Sequence, residues 1–296
     1  MFKNVTIFSI SSLATLSKKE LHEALTKQTF VECGPTQDVS TGWTPPRGEE
    51  HGGLAESAAD ALFCTLTIEK KAVPTSVVKD AVEKSAKKLK ERTGVNIGRS
   101  LMKDLREQAI LDLLPRAFPR RSHIRVMIDV AAGYLFVGSS SAGGCDSVIS
   151  ALLTALPAGA SFSSLHTEVS LRTHFAEWIR DDETMPSGFL IGMQTELQGP
   201  SDQGSKSVAR FKSLDLGASN VVSHLDSGKQ PVQLEVSLEN MSLVLTDDLR
   251  IKSIKRINPV ECDDDKADSF DADLQIAVAE MRGLIAGFAP LLAVPQ

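Results

Sequence analysis

Close pairs of cysteine or histidine are missing from this 296-residue sequence. The four cysteines, Cys33, Cys64, Cys145 and Cys262, stand far apart, in none of the spacings of a zinc site or a redox motif. They are expected as reduced thiols, since nothing else in the chain speaks for an oxidising compartment. The histidines, His22, His51, His123, His166, His174 and His224, show no metal-ligand spacing and sit in no nucleophile motif, so each is expected to be structural. Also missing is an apolar run long enough to span a bilayer, and Met1 to Leu13 mix a lysine and polar residues rather than forming the apolar region of a secretory leader. A cytosolic protein with no membrane association is the expectation. The glycine-rich stretches Gly143-Gly144 and Gly199 to Gly204 lack the lysine and hydroxyl residue of a phosphate-binding loop, which speaks against nucleotide hydrolysis. Tandem repeats are absent as well, and no cofactor is implied.

What is present is a chain with 42% hydrophobic and 24% charged residues, enough for one large or two modest domains with real cores. The net charge of −6 alone argues against a polyanionic partner. Its distribution reverses that reading. From Lys70 to Arg125 there are 15 Lys and Arg against 6 Asp and Glu, so one segment of +9 sits in a remainder of −15.

The chain opens with a strand near Val5 to Phe8 and a helix announced by the capping box Ser17-Lys18-Lys19-Glu20. A turn-rich loop from Cys33 to Gly48 leads to a strand at Ala61 to Ile68, and Pro74 closes it. The basic segment then reads as a helical hairpin. Its first helix, about Ser76 to Arg92, aligns Val78, Ala81, Val82, Ser85 and Leu89, with Lys79, Lys84, Lys87, Lys88 and Lys90 opposite. After Thr93-Gly94, its second helix, about Arg99 to Leu114, turns Leu101, Leu105, Ala109 and Leu113 inward and Arg99, Lys103 and Arg106 outward. Strands at Ile124 to Asp129 and Tyr134 to Val137, then a helix from Ser139 to Pro157, resume the pattern that preceded the hairpin. The hairpin is therefore expected to project from an α+β domain as an insertion.

Further on, Met185 to Ser207, rich in Gly, Ser, Pro and Gln, reads as a connection or exposed loop. Val232 to Leu238, Ser242 to Thr246 and Ile251 to Ile257 read as a second, antiparallel β region with turns at Glu239-Asn240 and Asp247-Asp248. A final amphipathic helix, about Ser269 to Phe288, carries Phe270, Leu274, Ala277, Val278, Met281, Leu284 and Ile285 at helical spacing. Core packing is its expected use, with a subunit contact through Leu274, Met281 and Ile285 as the second reading.

Two clusters bear on chemistry. Leu114-Pro115-Arg116-Ala117-Phe118-Pro119-Arg120-Arg121 sets an aromatic among arginines, where arginine suits phosphate and Phe118 could stack or wedge against nucleic acid. On composition alone, packing of Phe118 beneath the hairpin is favoured. The acidic run Asp263, Asp264, Asp265, Asp268, Asp271 and Asp273 is the only candidate for the converging carboxylates of a magnesium-dependent nuclease. Solvation and capping at a helix start account for it better, and no histidine or basic partner accompanies it.

The sequence resembles the bacterial recombination-associated RdgC family from end to end. The resemblance rests on dispersed motifs in matching order. They are Met1-Phe2-Lys3-Asn4, Cys33-Gly34 with Gln37-Asp38, Gly42-Trp43-Thr44-Pro45-Pro46, and Leu114-Pro115-Arg116-Ala117-Phe118. Glu177-Trp178-Ile179, Asp215-Leu216, His224-Leu225 with Gly228-Lys229, and Phe270-Asp271-Ala272-Asp273 follow. It implies an α+β, horseshoe-shaped subunit with a central region (1–72 and 118–172), a helical tip (73–117) and a β-rich base ending in a helix (173–296). Two subunits would close into a ring around double-stranded DNA, bind it without sequence preference, associate with the nucleoid and restrain RecA-dependent recombination. No enzyme activity is expected, although such proteins have also been described as exonucleases. A protein-interaction factor that has lost DNA binding is a further alternative. Charge and resemblance together make Lys79, Lys84, Lys87, Lys88, Arg99, Lys103, Arg116, Arg120, Arg121, Lys212 and Lys229 the expected DNA contacts, with Phe118 as a dimer contact or gate. The chain departs from the family pattern at Val95-Asn96-Ile97-Gly98, which is less basic, and at Leu214, where a polar residue is expected. Both departures imply weaker binding.

Overall fold

A strand buried on both faces loses the polar alternation of a half-exposed one, and the segment Ala61–Lys71 shows this at its first nine positions. In the computed structural model, which describes residues 2–11, 15–48, 52–94, 96–200, 206–238, 240–257 and 266–293, this strand is clasped between two apolar cores. Leu62, Cys64, Leu66 and Ile68 enter one core with Trp43, Val126 and Leu152. Ala61 and Phe63 enter the other, larger one with Phe136, Trp178 and Met281.

Among the described residues the fold is α+β, with seven α-helices and one antiparallel sheet of twelve strands. The strands of the first half are β1 (Val5–Ser11), β2 (Val39–Thr44), β3 (Glu56–Ala58), β4 (Ala61–Lys71), β5 (Pro119–Asp129), β6 (Tyr134–Val137) and β7 (Ser161–Ser164). The second half supplies β8 (Phe189–Pro200), β9 (Lys206–Lys212), β10 (Gln230–Leu238), β11 (Met241–Thr246) and β12 (Arg250–Arg256). Their order is β2-β4-β5-β6-β1-β12-β11-β10-β8-β9, with β3 beside β4 and β7 beside β1. The second β region expected from sequence is thus continuous with the first. Val5 and Thr6 of β1 pair with Ile251 and Arg250 of β12, so the chain's beginning and its late strands share one hydrogen-bonded ladder.

Helices α1 (Lys18–Thr26) and α4 (Ala142–Ala155) contribute Leu21, Leu25, Val148 and Leu152 to one core. At the start of α1, Ser17 accepts from the Glu20 amide, and the Glu20 carboxylate accepts from the Ser17 amide at 2.8 Å, completing the box read from sequence. Helices α5 (Leu171–Arg180), α6 (Ser219–Asp226) and α7 (Lys266–Phe288) contribute to the other core. Along α7, Ala277, Val278, Met281, Leu284 and Phe288 are buried, and Leu274 and Ile285 are half-buried against the same core. Met281 is therefore an interior residue and not an available subunit contact, and core packing is the use the structure gives to this face.

Two sequence expectations change. Met185 to Ser207 is not a loop: β8 runs through it as a twelve-residue strand, with Thr195 and Leu197 buried against β10. The apolar or β-branched residues at Phe189, Ile191, Thr195 and Leu197 outweigh its glycines once β10 supplies a ladder. Leu101 is 40% exposed rather than inward, because the hairpin has two helices and no third layer. Cys33, Cys64 and Cys145 are free, and burial pushes the Cys64 thiol up. Cys262 lies outside the described residues. Among those described, no helix is long and apolar enough to cross a membrane.

Candidate nucleic-acid interface

The basic segment projects from the sheet as two helices between β4 and β5: α2 (Thr75–Thr93) and α3 (Arg99–Leu113). Pro74 precedes the first, and Gly94 ends it in the left-handed conformation at φ 68°, where a side chain would be strained. Only Val78, Val82 and Ala109 are fully buried between them, so most of both helices faces water. Lys79 and Lys103 lean towards Glu83 and Glu107 one turn away, at 3.8 and 3.7 Å. Lys84, Lys87, Lys88 and Arg99 are exposed and have no carboxylate within ion-pair reach among the described residues. Val95 lies outside them.

At the root of the hairpin a short 3-10 turn, Leu114–Arg116, delivers the chain to β5. Leu114 is buried and Arg116 exposed. The expectation that Phe118 packs under the hairpin is overturned: it is 90% exposed, held out by Pro119 at the first position of the strand. Because β5 starts there, Arg120 and Arg121 are strand residues and point to opposite faces of the sheet.

Those two arginines, alike in sequence, differ in circumstance. Arg121 meets the Glu69 carboxylate at 2.6 Å, also pairs with Glu32, and lies 5.4 Å over the ring of Phe30. Glu69 additionally accepts the Cys33 amide at 2.8 Å. The Cys33 amide, with the Arg121 guanidinium, holds the Glu69 carboxyl below the ordinary carboxylate range. Arg121 thereby fastens the Phe30–Cys33 segment to the sheet, and its charge is compensated within the chain. Arg120 has no such partner among the described residues.

The remaining candidates lie elsewhere in the sheet. Lys212 is exposed at the end of β9. Lys229 is half-buried just before β10, with Nζ 3.1 Å from His224 Nδ1. In strand order β10 is separated from β5 by β6, β1, β12 and β11, so these two lysines do not join the cluster at the hairpin root. Leu214, where a polar residue was expected, packs half-buried on the larger core, which explains its apolar character.

The acidic run gives no metal centre. Asp263, Asp264 and Asp265 lie outside the described residues, as does the Asp268 side chain. Asp271 is ion-paired to Arg47, whose guanidinium stacks 4.6 Å over Phe270 and reaches Glu56 at 3.2 Å. Lys18 closes the far side of Glu56 at 2.7 Å. Arg47 thus clamps the start of α7 onto the Pro45-Pro46 loop, a role invisible in sequence because 224 positions separate the partners. Among the described residues no group of three or more His, Cys, Asp and Glu side chains is placed to hold a metal ion.

The clamp joins two of the motifs that carry the family resemblance, the Trp43 to Pro46 segment and Phe270-Asp271. A family model described as "Putative exonuclease, RdgC" matches residues 1–294. The chain belongs to the RdgC family. A protein of Janthinobacterium sp. (strain Marseille) is 31% identical over 294 residues, covering 96% of this chain and 95% of its own length. One of Cupriavidus pinatubonensis is 31% identical over 293 residues with the same coverage, and one of Herminiimonas arsenicoxydans is 29% identical over 301 residues, covering 100% and 98%. Each of the three is named recombination-associated protein RdgC.

Proposed function

We propose that this chain holds double-stranded DNA through its phosphate backbone, without reading sequence and without cleaving it, and acts in recombination by occupying DNA. The observation that carries this reading is the concentration of exposed, uncompensated cations on the hairpin and its root, in a chain whose net charge is −6. Backbone contacts need only cations and freedom from local acids, and they give affinity without base readout. The names of the relatives supply the recombination context. Occupied DNA is closed to RecA, which would place the protein on the nucleoid as a restraint on RecA-dependent exchange.

The reading extends to a homodimer in which two horseshoe-shaped subunits meet through their tips (73–117) and bases (173–296) and enclose the duplex. Phe118 supports it, because an aromatic side chain 90% exposed at the foot of the tip is a poor surface residue and a good contact. Phe118→Ser is expected to leave the fold intact, weaken self-association in sedimentation, and shorten retention on closed circular DNA. Unaltered dimerisation and retention would remove Phe118 from the contact.

Fluorescence anisotropy with a random-sequence duplex over a salt series, without added metal, tests the central claim. Binding that is tight at low salt, indifferent to sequence, and weakens with a log–log slope of about −0.9 per phosphate contact is the expected result. No binding at low salt would overturn it. The family description favours one rival, a metal-dependent exonuclease, and magnesium-dependent loss of labelled DNA ends would establish that instead.

A further inference from the structure

Strands β4 and β5 are paired in register, with Glu69 opposite Arg121 and Lys70 opposite Arg120. Directly opposed residues of an antiparallel pair share a face, and successive pairs alternate between faces. One face therefore carries a matched pair of opposite charges, the 2.6 Å Glu69–Arg121 bridge. The other face carries two cations. Lys70 and Arg120 are both exposed, and neither has a carboxylate in ion-pair reach among the described residues. Like charges set directly opposite one another destabilise a sheet, so the row is an electrostatic cost that the fold does not relieve from within.

The surroundings of this row leave it open. Its next member is Val39, which pairs with Lys70 on the sheet's edge strand β2 and is 40% exposed. The core that covers this face ends one row away at Ile68, itself buried. The chain rising from Arg120 leads back through exposed Phe118 and Arg116 into the basic hairpin.

We infer that Lys70 and Arg120 form a two-cation cradle for one backbone phosphate of duplex DNA, and that Arg121 is a positioning residue that takes no part in DNA contact. The inference rests on the proposed function and deepens it: it adds Lys70, which no motif singled out, and removes Arg121. An arginine fork with an adjacent ammonium suits the paired oxygens and single charge of a phosphodiester. Continuity with the hairpin cations makes the ligand a polymer backbone rather than a free ion.

The test is Lys70→Glu, which withdraws one cation and turns the opposed pair into a match for Arg120. Its melting temperature is expected to equal or exceed that of the wild type, while the salt slope for a random duplex becomes shallower by about two, one for each cation withdrawn. Arg121→Gln is expected to lower the melting temperature and keep the wild-type slope. The double variant Lys70→Gln, Arg120→Gln, which introduces no new charge, should reproduce the loss of slope. Wild-type binding with an unaltered slope in Lys70→Glu and in the double variant would overturn the cradle alone. A slope lost equally in Arg121→Gln would also overturn it. Absence of any binding by the wild type would overturn it together with the proposed function.

Discussion

Replacing Arg282 with methionine is expected to cost about 3 kcal/mol of unfolding free energy, read as a lowered urea midpoint at constant m-value. The cause lies in Asp129, which has no solvent exposure. One of its oxygens takes Arg282 Nε at 2.6 Å and the other takes the Ala132 amide at 3.1 Å. Arg282 also donates to the carbonyl of Ala59 at 3.1 Å, so a single guanidinium ties α7 to the β3–β4 turn and the β5–β6 turn. Methionine fills the space but leaves a buried carboxylate with one amide for company. Breaking such a pair from one side typically costs about 3–5 kcal/mol, and the lower end applies because Arg282 is 40% exposed and water reaches its other side. Adding Asp129→Asn to Arg282→Met should restore much of the loss, since the stranded charge is then gone. A midpoint unmoved in the single variant would mean that α7 is held by its apolar face alone.

The largest functional effect is expected from neutralising the hairpin. Lys84, Lys87, Lys88 and Arg99 are exposed and without ion pairs among the described residues, so alanine at all four sites removes charge without removing a native contact. Alanine is also the strongest helix former, which protects α2 and α3 from fraying. If each cation meets a phosphate, the salt slope becomes shallower by about 3.6, and the fall in affinity between roughly 50 and 200 mM salt shrinks by about two orders of magnitude. Circular dichroism should be unchanged. A variant that kept the full slope would move the phosphate contacts off the tip.

Local patterns were legible in the sequence, and distant pairings were not. The capping box at Ser17, the hairpin break at Thr93-Gly94, the buried run from Ala61 and the apolar stripe of α7 all come from residues within a few turns of one another, and each stands in the structure. β8 was misread because its glycines and glutamines speak for a loop until β10, more than thirty positions on, provides the ladder. Helix α5 carried a readable signal in Leu171, Phe175, Trp178 and Ile179, apolar at positions i, i+4, i+7 and i+8. The site was legible as a charge imbalance but not in its detail. Arg120 and Arg121 look interchangeable in a basic run, and only the register with Lys70 and Glu69 tells them apart. Arg47 looked like one more turn residue until Asp271 was brought beside it.

The thinness of the hairpin has a dynamic consequence. Three fully buried side chains hold α2 against α3, whereas β4 is enclosed by two cores. The energy needed to open a segment follows the apolar contacts it must surrender, so the hairpin's amides exchange with solvent through openings that leave the sheet intact. A polyanion bridging the two helices would slow those openings, and part of its binding energy would go into quieting the tip. The part of the molecule richest in positive charge is thus also its softest, and the ligand it attracts is what would stiffen it.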